Sequence, residues 1–90
     1  MNRQEAYTIV SAVLKRYADL GFQDLRSQVG TTASEDILGP SGIRYTVDVT
    51  IAWSDSRQST LDVRARIDDQ NTFLFASLEE RIHVPNPAHA

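Results

Sequence analysis

The sequence predicts an α+β domain in which one N-terminal helix packs on a curved antiparallel sheet of three to four strands. Near the N-terminus, apolar residues recur at spacings of three and four, which is the period of an amphipathic helix. From Ile43 to Trp53, and again from Leu61 to Asp68, apolar and polar residues alternate, which is typical of strands with one buried face. Polar turn sequences separate these segments, so the sheet is predicted to be antiparallel.

The helix is predicted to run from Arg3 to Leu20. Asn2 is a suitable N-cap, and Glu5 follows at the spacing of a capping box. Gly21 is well placed to end the helix, because glycine tolerates a positive φ. The apolar stripe of this helix comprises Ala6, Ile9, Val10, Val13, Leu14, Tyr17 and Leu20.

Residues 22–42 give the weakest signal. Leu25, Ser27, Val29 and Thr31 alternate weakly and predict an edge strand, while the polar residues 31–36 are predicted to be mobile or loosely paired. The sequence Gly-Pro-Ser-Gly at residues 39–42 predicts a turn into the main sheet.

A three-strand meander is predicted to follow, with strands Ile43–Trp53, Leu61–Asp68 and Phe73–Val84. If Trp53 pairs with Leu61, Asp48 lies opposite Arg66. Such oppositely charged pairs contribute about 0.2–1 kcal/mol each and help to define the register. Residues 1–84 are predicted to form a single domain, and residues 85–90 a flexible tail interrupted by prolines.

Composition excludes several classes of function. The chain has 90 residues, of which 41% are hydrophobic, and its net charge of −3 argues against a nucleic-acid binder. It contains no cysteine, which excludes disulfides, thiolate nucleophiles and Cys-ligated zinc. No apolar run approaches the roughly 18–20 residues of a membrane span, and no secretory signal is visible. We therefore expect a cytoplasmic protein without a membrane segment.

The start of the third meander strand is the first candidate site. Phe73 and Phe75 lie in one phase of the strand, and Leu74 and Ala76 lie in the other. Both faces are apolar there, whereas a single helix covers only one face of a small sheet. We therefore predict that Phe73 and Phe75 form an interaction surface. A second subunit or the chain's own segment 22–42 is expected to cover it, in preference to a ligand.

Glu80 is the second candidate, because it shares the phase of the apolar residues Leu78 and Ile82. A buried carboxylate can serve as a general acid or base. A β-bulge near Ser77 to Glu80, or a fraying position, that turns the carboxylate outward is the expected arrangement, because unpaired buried glutamates are rare.

Other chemistry finds no support. His83 and His89 lack a third ligand at sensible spacing, so no metal site is predicted, and no motif indicates a cofactor. No serine occupies a nucleophile elbow, and no glycine-rich phosphate loop is present.

The leading hypothesis is a small non-enzymatic protein-interaction module that forms a homodimer through a sheet face or edge. The alternative is a ligand-binding or catalytic domain with a pocket between helix and sheet. Such a pocket would be lined by Tyr7, Tyr17, Trp53 and Glu80, and its ligand is unknown. The order of helix, weak strand and meander resembles cystatin-like and nuclear-transport-factor-like folds in architecture, without any motif residue of either family.

Overall fold

A computed structural model describes residues 1–70 and 77–89 of the chain. Two helices, α1 (Arg3–Leu20) and α2 (Phe22–Arg26), precede the sheet. Four strands and one 3-10 turn follow: β1 (Thr32–Leu38), β2 (Arg44–Trp53), β3 (Thr60–Asp69), β4 (Ser77–Pro85) and the turn Pro87–His89. The strands form one antiparallel sheet in the order β1-β2-β3-β4. The predicted α+β architecture, one N-terminal helix on an antiparallel sheet, is confirmed.

Helix α1 has the predicted bounds and the predicted cap. The Asn2 side chain accepts a 3.0 Å hydrogen bond from the backbone N–H of Glu5. Gly21 ends the helix with a φ of +85°, a backbone conformation that residues with a Cβ rarely adopt. The Glu5 side chain does not bond to the backbone N–H of the N-cap residue, as it would in a capping box. It bonds instead to residues that follow β1 in the chain.

The edge strand lies later in the chain than the sequence predicts. Residues 22–26 are helical, and the strand occupies residues 32–38, so it includes most of the segment 31–36 predicted to be mobile or loosely paired. Leu25 and Val29 fit a strand spacing, but Phe22, Leu25 and Val29 together fit a helical one, and the burial of Phe22 and Leu25 favours the helix. β1 needs no apolar stripe because its backbone pairs with β2 along its whole length.

The meander register is the one that the charge pattern predicts. Trp53 lies opposite Leu61, and Asp48 lies opposite Arg66. Alternate residues of β2 and β3 point toward the helices and form the centre of the core. The buried set comprises Ala6, Val10, Val13, Leu14, Phe22, Leu25, Tyr45, Val47, Val49, Ile51, Leu61, Val63, Ala65 and Ile67.

α1 packs on β3 and β4, so it does not cover the sheet evenly. The β1 side of the sheet extends beyond the helix, and six of the seven residues of β1 are exposed. The sheet face opposite α1 is called the open face here. It carries Asp36, Arg44, Asp48, Asp62, Arg64, Arg66, Asp68, Glu79 and Arg81 among smaller polar residues.

β4 is described from Ser77 onward, so the predicted start of this strand at Phe73 lies outside the described residues. At its other end Pro85 pairs with Thr60, and the N–H of Asn86 donates a 2.8 Å bond to the carbonyl of Ser59. The flexibility of residues 85–90 stays a prediction.

Candidate functional site

The structure brings together two of the residues predicted to line a pocket. Tyr7 and Glu80 face one groove of about 310 Å³ between α1 and β4, together with Lys15 and Arg81. Tyr17 lies farther along α1 beside another depression, and Trp53 packs against Phe22 with their ring centroids 6.0 Å apart. The four residues therefore do not line a common pocket. Phe73 and Phe75 lie outside the described residues.

Glu80 points toward the helix side of the sheet. The β3–β4 register is continuous from Ser77 to Pro85, and Glu80 lies opposite the fully buried Ala65. The expected bulge is therefore absent from this strand, and the expectation that Glu80 turns outward is wrong. Because β4 is the last strand of the sheet, Glu80 reaches its margin and remains half-buried, which spares the carboxylate full desolvation.

β1 is the most accessible element of the sheet. In an antiparallel pair, residues alternate between those that bond to the neighbouring strand and those whose N–H and C=O point away from it. The N–H of Gly39 donates to the carbonyl of Ile43, so odd-numbered residues of β1 bond to β2. The N–H of Gln70 donates to the carbonyl of Arg44, which places the even-numbered residues of β2 toward β3 and agrees with this phase.

It follows that four residues of β1 direct their backbone N–H and C=O groups outward, away from β2. These residues are Thr32, Ser34, Asp36 and Leu38. An edge with such a row of outward groups is a template for pairing with another strand. We call these four residues the outer edge of β1.

An apolar groove of about 300 Å³ lies beside this edge, on the helix side of the sheet. It is lined by Ile9, Ala12, Val13, Arg16 and Ile37, and we call it the edge groove. The groove exists because α1 is centred on β3 and β4, which leaves a gap between the helix and β1. Ile9 and Ile37 are only half-buried there, so apolar surface remains exposed to water.

One ion pair spans the gap between α1 and β1. A guanidinium N–H of Arg16 donates to a Glu35 carboxylate oxygen at 2.6 Å, and a second contact measures 3.5 Å. Hydrogen bonding to Glu35, reinforced by its charge, raises the pKa of Arg16 above its ordinary value. Both side chains remain substantially exposed, so the pair orients the strand more than it stabilises the fold.

A second polar cluster joins the start of α1 to the turn after β1. The Glu5 carboxylate accepts hydrogen bonds from the Ser41 N–H at 2.9 Å, the Ser41 hydroxyl and the Tyr45 hydroxyl at 2.9 Å. The two Ser41 bonds lower the pKa of Glu5. Burial, with a smaller contribution from Glu5, raises the pKa of Tyr45 to about 12. Because every donor converges on one carboxylate, this cluster ties elements together and offers no free catalytic group.

The sequence carried only a partial signal for these features. Glu5 fits a capping box, and the turn at residues 39–42 is evident from its glycines and proline, but nothing in the sequence links the two. The edge groove depends on where α1 lies across the sheet, which helical periodicity does not specify.

On the open face, charged side chains of opposite sign form ion pairs, so this face is not a patch of a single sign of charge. Arg64 lies 3.6 Å from Glu79, and Arg81 bridges Glu79 and Asp62 at 3.5 and 3.7 Å. His83 lies 3.4 Å from Asp62. In the described ranges 1–70 and 77–89, no three histidine or acidic side chains are arranged to hold a metal ion. No helix there is long and apolar enough to cross a membrane.

Comparisons of the chain with protein-family models, curated proteins and solved structures find no match in any of the three.

Proposed function

We propose that this chain is a non-enzymatic protein-interaction module that self-associates through the outer edge of β1. The observation that carries the proposal is the outer edge itself, a run of outward backbone groups beside an exposed apolar groove. A partner strand would satisfy the backbone groups, and its side chains would cover the groove. One contact would thus use both features at once.

The open face is less suited to this role than the edge. Packing another molecule flat on it would bury nine charged side chains of mixed sign, and their ion pairs would offset the cost of desolvation only in part. Pairing along the edge leaves those side chains in water. The described part of the sheet therefore favours an edge contact over a face contact.

Size exclusion with light scattering on wild type, Ser34→Pro and Ser34→Ala tests the proposal. The N–H of Ser34 belongs to the outer edge, so proline removes an outward donor without removing a bond to β2. We expect a wild-type dimer, a monomeric Ser34→Pro variant and a dimeric Ser34→Ala variant. Circular dichroism and urea unfolding show whether both variants keep the fold. A folded Ser34→Pro variant with the wild-type dimer mass would contradict the proposal.

A second candidate function rests on the groove between α1 and β4. There Glu80, Tyr7 and Lys15 line one groove, so a small ligand would find apolar side chains beside a carboxylate and an ammonium group. A chemical-shift map of the ¹⁵N-labelled protein against a set of small charged fragments tests this. Shifts clustered on Tyr7, Ser11 and Glu80, and lost in Glu80→Ala, support a ligand site. Shifts scattered over the surface, or unchanged in Glu80→Ala, count against it.

A further inference from the structure

Building on the proposed function, we infer that the partner at the β1 edge is a second copy of this chain, paired antiparallel about Glu35. In this arrangement Glu35 of one copy lies beside the partner's Glu35, and the two sheets join into one of eight strands. Three properties of β1 lead to this register: its symmetry requirements, its outward backbone groups and its side-chain sequence.

Symmetry limits the registers that are available. When two copies of the same strand edge pair antiparallel within one sheet, a two-fold axis perpendicular to the sheet must relate the copies. Both α1 helices then lie on the same side of the joined sheet, and directly opposite residues point to the same face. The axis must therefore pass between one residue and the same residue of the partner, so that this residue pairs with its own copy. Within the central part of β1, that residue is Ser34, Glu35 or Asp36.

Backbone pairing distinguishes the three registers. In the register centred on Glu35, Thr32 pairs with the partner's Leu38, and Ser34 pairs with the partner's Asp36. Every residue of the outer edge then has a backbone partner. Centred on Ser34, the outward groups of Leu38 find no partner within β1. Centred on Asp36, those of Thr32 would face Pro40, which has no N–H. The register about Glu35 leaves the fewest backbone groups unpaired.

The side chains favour the same register. On the helix side, Ala33 faces the partner's Ile37, which places one apolar pair on each side of the two-fold axis. The registers about Ser34 and Asp36 place Glu35 opposite Ala33 and Ile37, respectively, which leaves its charge beside apolar side chains.

The meeting of two Glu35 carboxylates is the cost of this register, and Arg16 offsets it. Each copy holds its own Arg16 guanidinium 2.6 Å from its Glu35, so two cations accompany the two anions at the axis. The arrangement is formally neutral, and each Arg16 has further N–H donors for the partner's Glu35. Arg16 thereby acquires a role that a weak, exposed intramolecular ion pair does not explain.

Cysteine cross-linking tests the register directly, because the chain contains no cysteine that would compete. The variants are Ser34→Cys, Glu35→Cys and Asp36→Cys, with Ser56→Cys in the exposed β2–β3 loop as a collision control. Opposite residues in an antiparallel pair have Cα atoms about 4.5–5.5 Å apart, within the range that a disulfide spans. Mixing ¹⁵N-labelled Asp36→Cys with unlabelled Ser34→Cys lets intact mass separate the mixed disulfide from either homodisulfide.

We expect Glu35→Cys to form a homodisulfide. We expect the mixture of Ser34→Cys and Asp36→Cys to give the mixed disulfide in several-fold excess over either homodisulfide. A dominant homodisulfide of Ser34→Cys or Asp36→Cys would overturn the register and leave the proposed edge contact intact. A wild-type dimer whose β1 variants cross-link no faster than Ser56→Cys would overturn both the register and the edge. A monomeric wild type by light scattering would overturn the self-association on which this inference rests.

Discussion

The hydroxyl of Tyr45 donates a 2.9 Å hydrogen bond to the carboxylate of Glu5, which joins β2 to the first turn of α1. Tyr45 is fully buried, and its hydroxyl is the one polar atom of the side chain. Glu5 satisfies it while also accepting two bonds from Ser41. This contact orients α1 against the sheet, and it makes stability depend on pH at both ends of the scale.

At alkaline pH, we expect the free energy of unfolding to fall because the Tyr45 hydroxyl loses its proton. Its folded pKa of about 12 is raised above the ordinary value of 10.0. Because the folded state holds this proton more tightly, the contribution is complete below pH 10.0 and is lost as the pH rises to about 12. Urea unfolding at several alkaline pH values should show the free energy of unfolding falling across this window.

The matched controls are Tyr45→Phe and Tyr7→Phe. The first should be less stable than wild type at neutral pH and should fall less steeply across the alkaline window. The second, at a side chain that is 53% exposed, should follow wild type. Parallel curves for wild type and Tyr45→Phe would show that Tyr45 does not carry the effect.

At acidic pH, the same cluster predicts the opposite dependence for Glu5. Its pKa lies below the ordinary value of 4.5, chiefly because of the two Ser41 hydrogen bonds. The contribution is therefore present above pH 4.5 and is lost as the pH falls through the lower folded pKa. Glu5→Gln should reduce this acid-dependent loss in the free energy of unfolding. A loss in Glu5→Gln equal to that of wild type would argue against the cluster.

Gly39 is predicted to tolerate no side chain while Glu5 holds its present position. A Cβ added at Gly39 would lie 2.5 Å from Glu5 Oε1 and 3.0 Å from the ring of Tyr45. Its φ is not positive, so space rather than backbone conformation requires glycine. We expect Gly39→Ala to cost about 1–3 kcal/mol in the free energy of unfolding, as overpacking does.

A double-mutant cycle with Glu5→Ala isolates the cause. Removing the carboxylate leaves the Tyr45 ring as the remaining close neighbour, so Gly39→Ala should cost less in the Glu5→Ala background. An unchanged cost would place the strain at Tyr45 or in the turn itself. Urea unfolding of the four proteins provides the measurement.

Leu25 is predicted to attach α2 to the rest of the core. It is fully buried although it lies in a helix of only five residues. Leu25→Ala should lower the free energy of unfolding by about 2–5 kcal/mol, the usual cost of a cavity left by leucine. The exposed neighbour Gln23→Ala should change it by less than about 0.5 kcal/mol. Similar unfolding midpoints for the two variants would contradict the packing of α2 described above.

Predictions from the sequence succeeded where one local rule sufficed. Helix α1 begins after Asn2 and ends at Gly21, because a cap and a glycine with positive φ determine those ends locally. The β2–β3 register agrees with side-chain alternation, because a slip of one residue would turn the apolar set of β2 to water, and with the charge pattern that places Asp48 opposite Arg66. The edge strand was misplaced because Leu25 and Val29 suit two periodicities, and burial chose between them.

The sequence by itself determined the α+β class, the cap of α1 and the pairing of β2 with β3, since each depends on periodicity or on residues close in the chain. Only the tertiary structure decided that Glu5 binds Ser41 and Tyr45 and that a groove opens beside β1. These features depend on where α1 comes to rest on the sheet. That position is set by packing between side chains far apart in sequence, which no local pattern records.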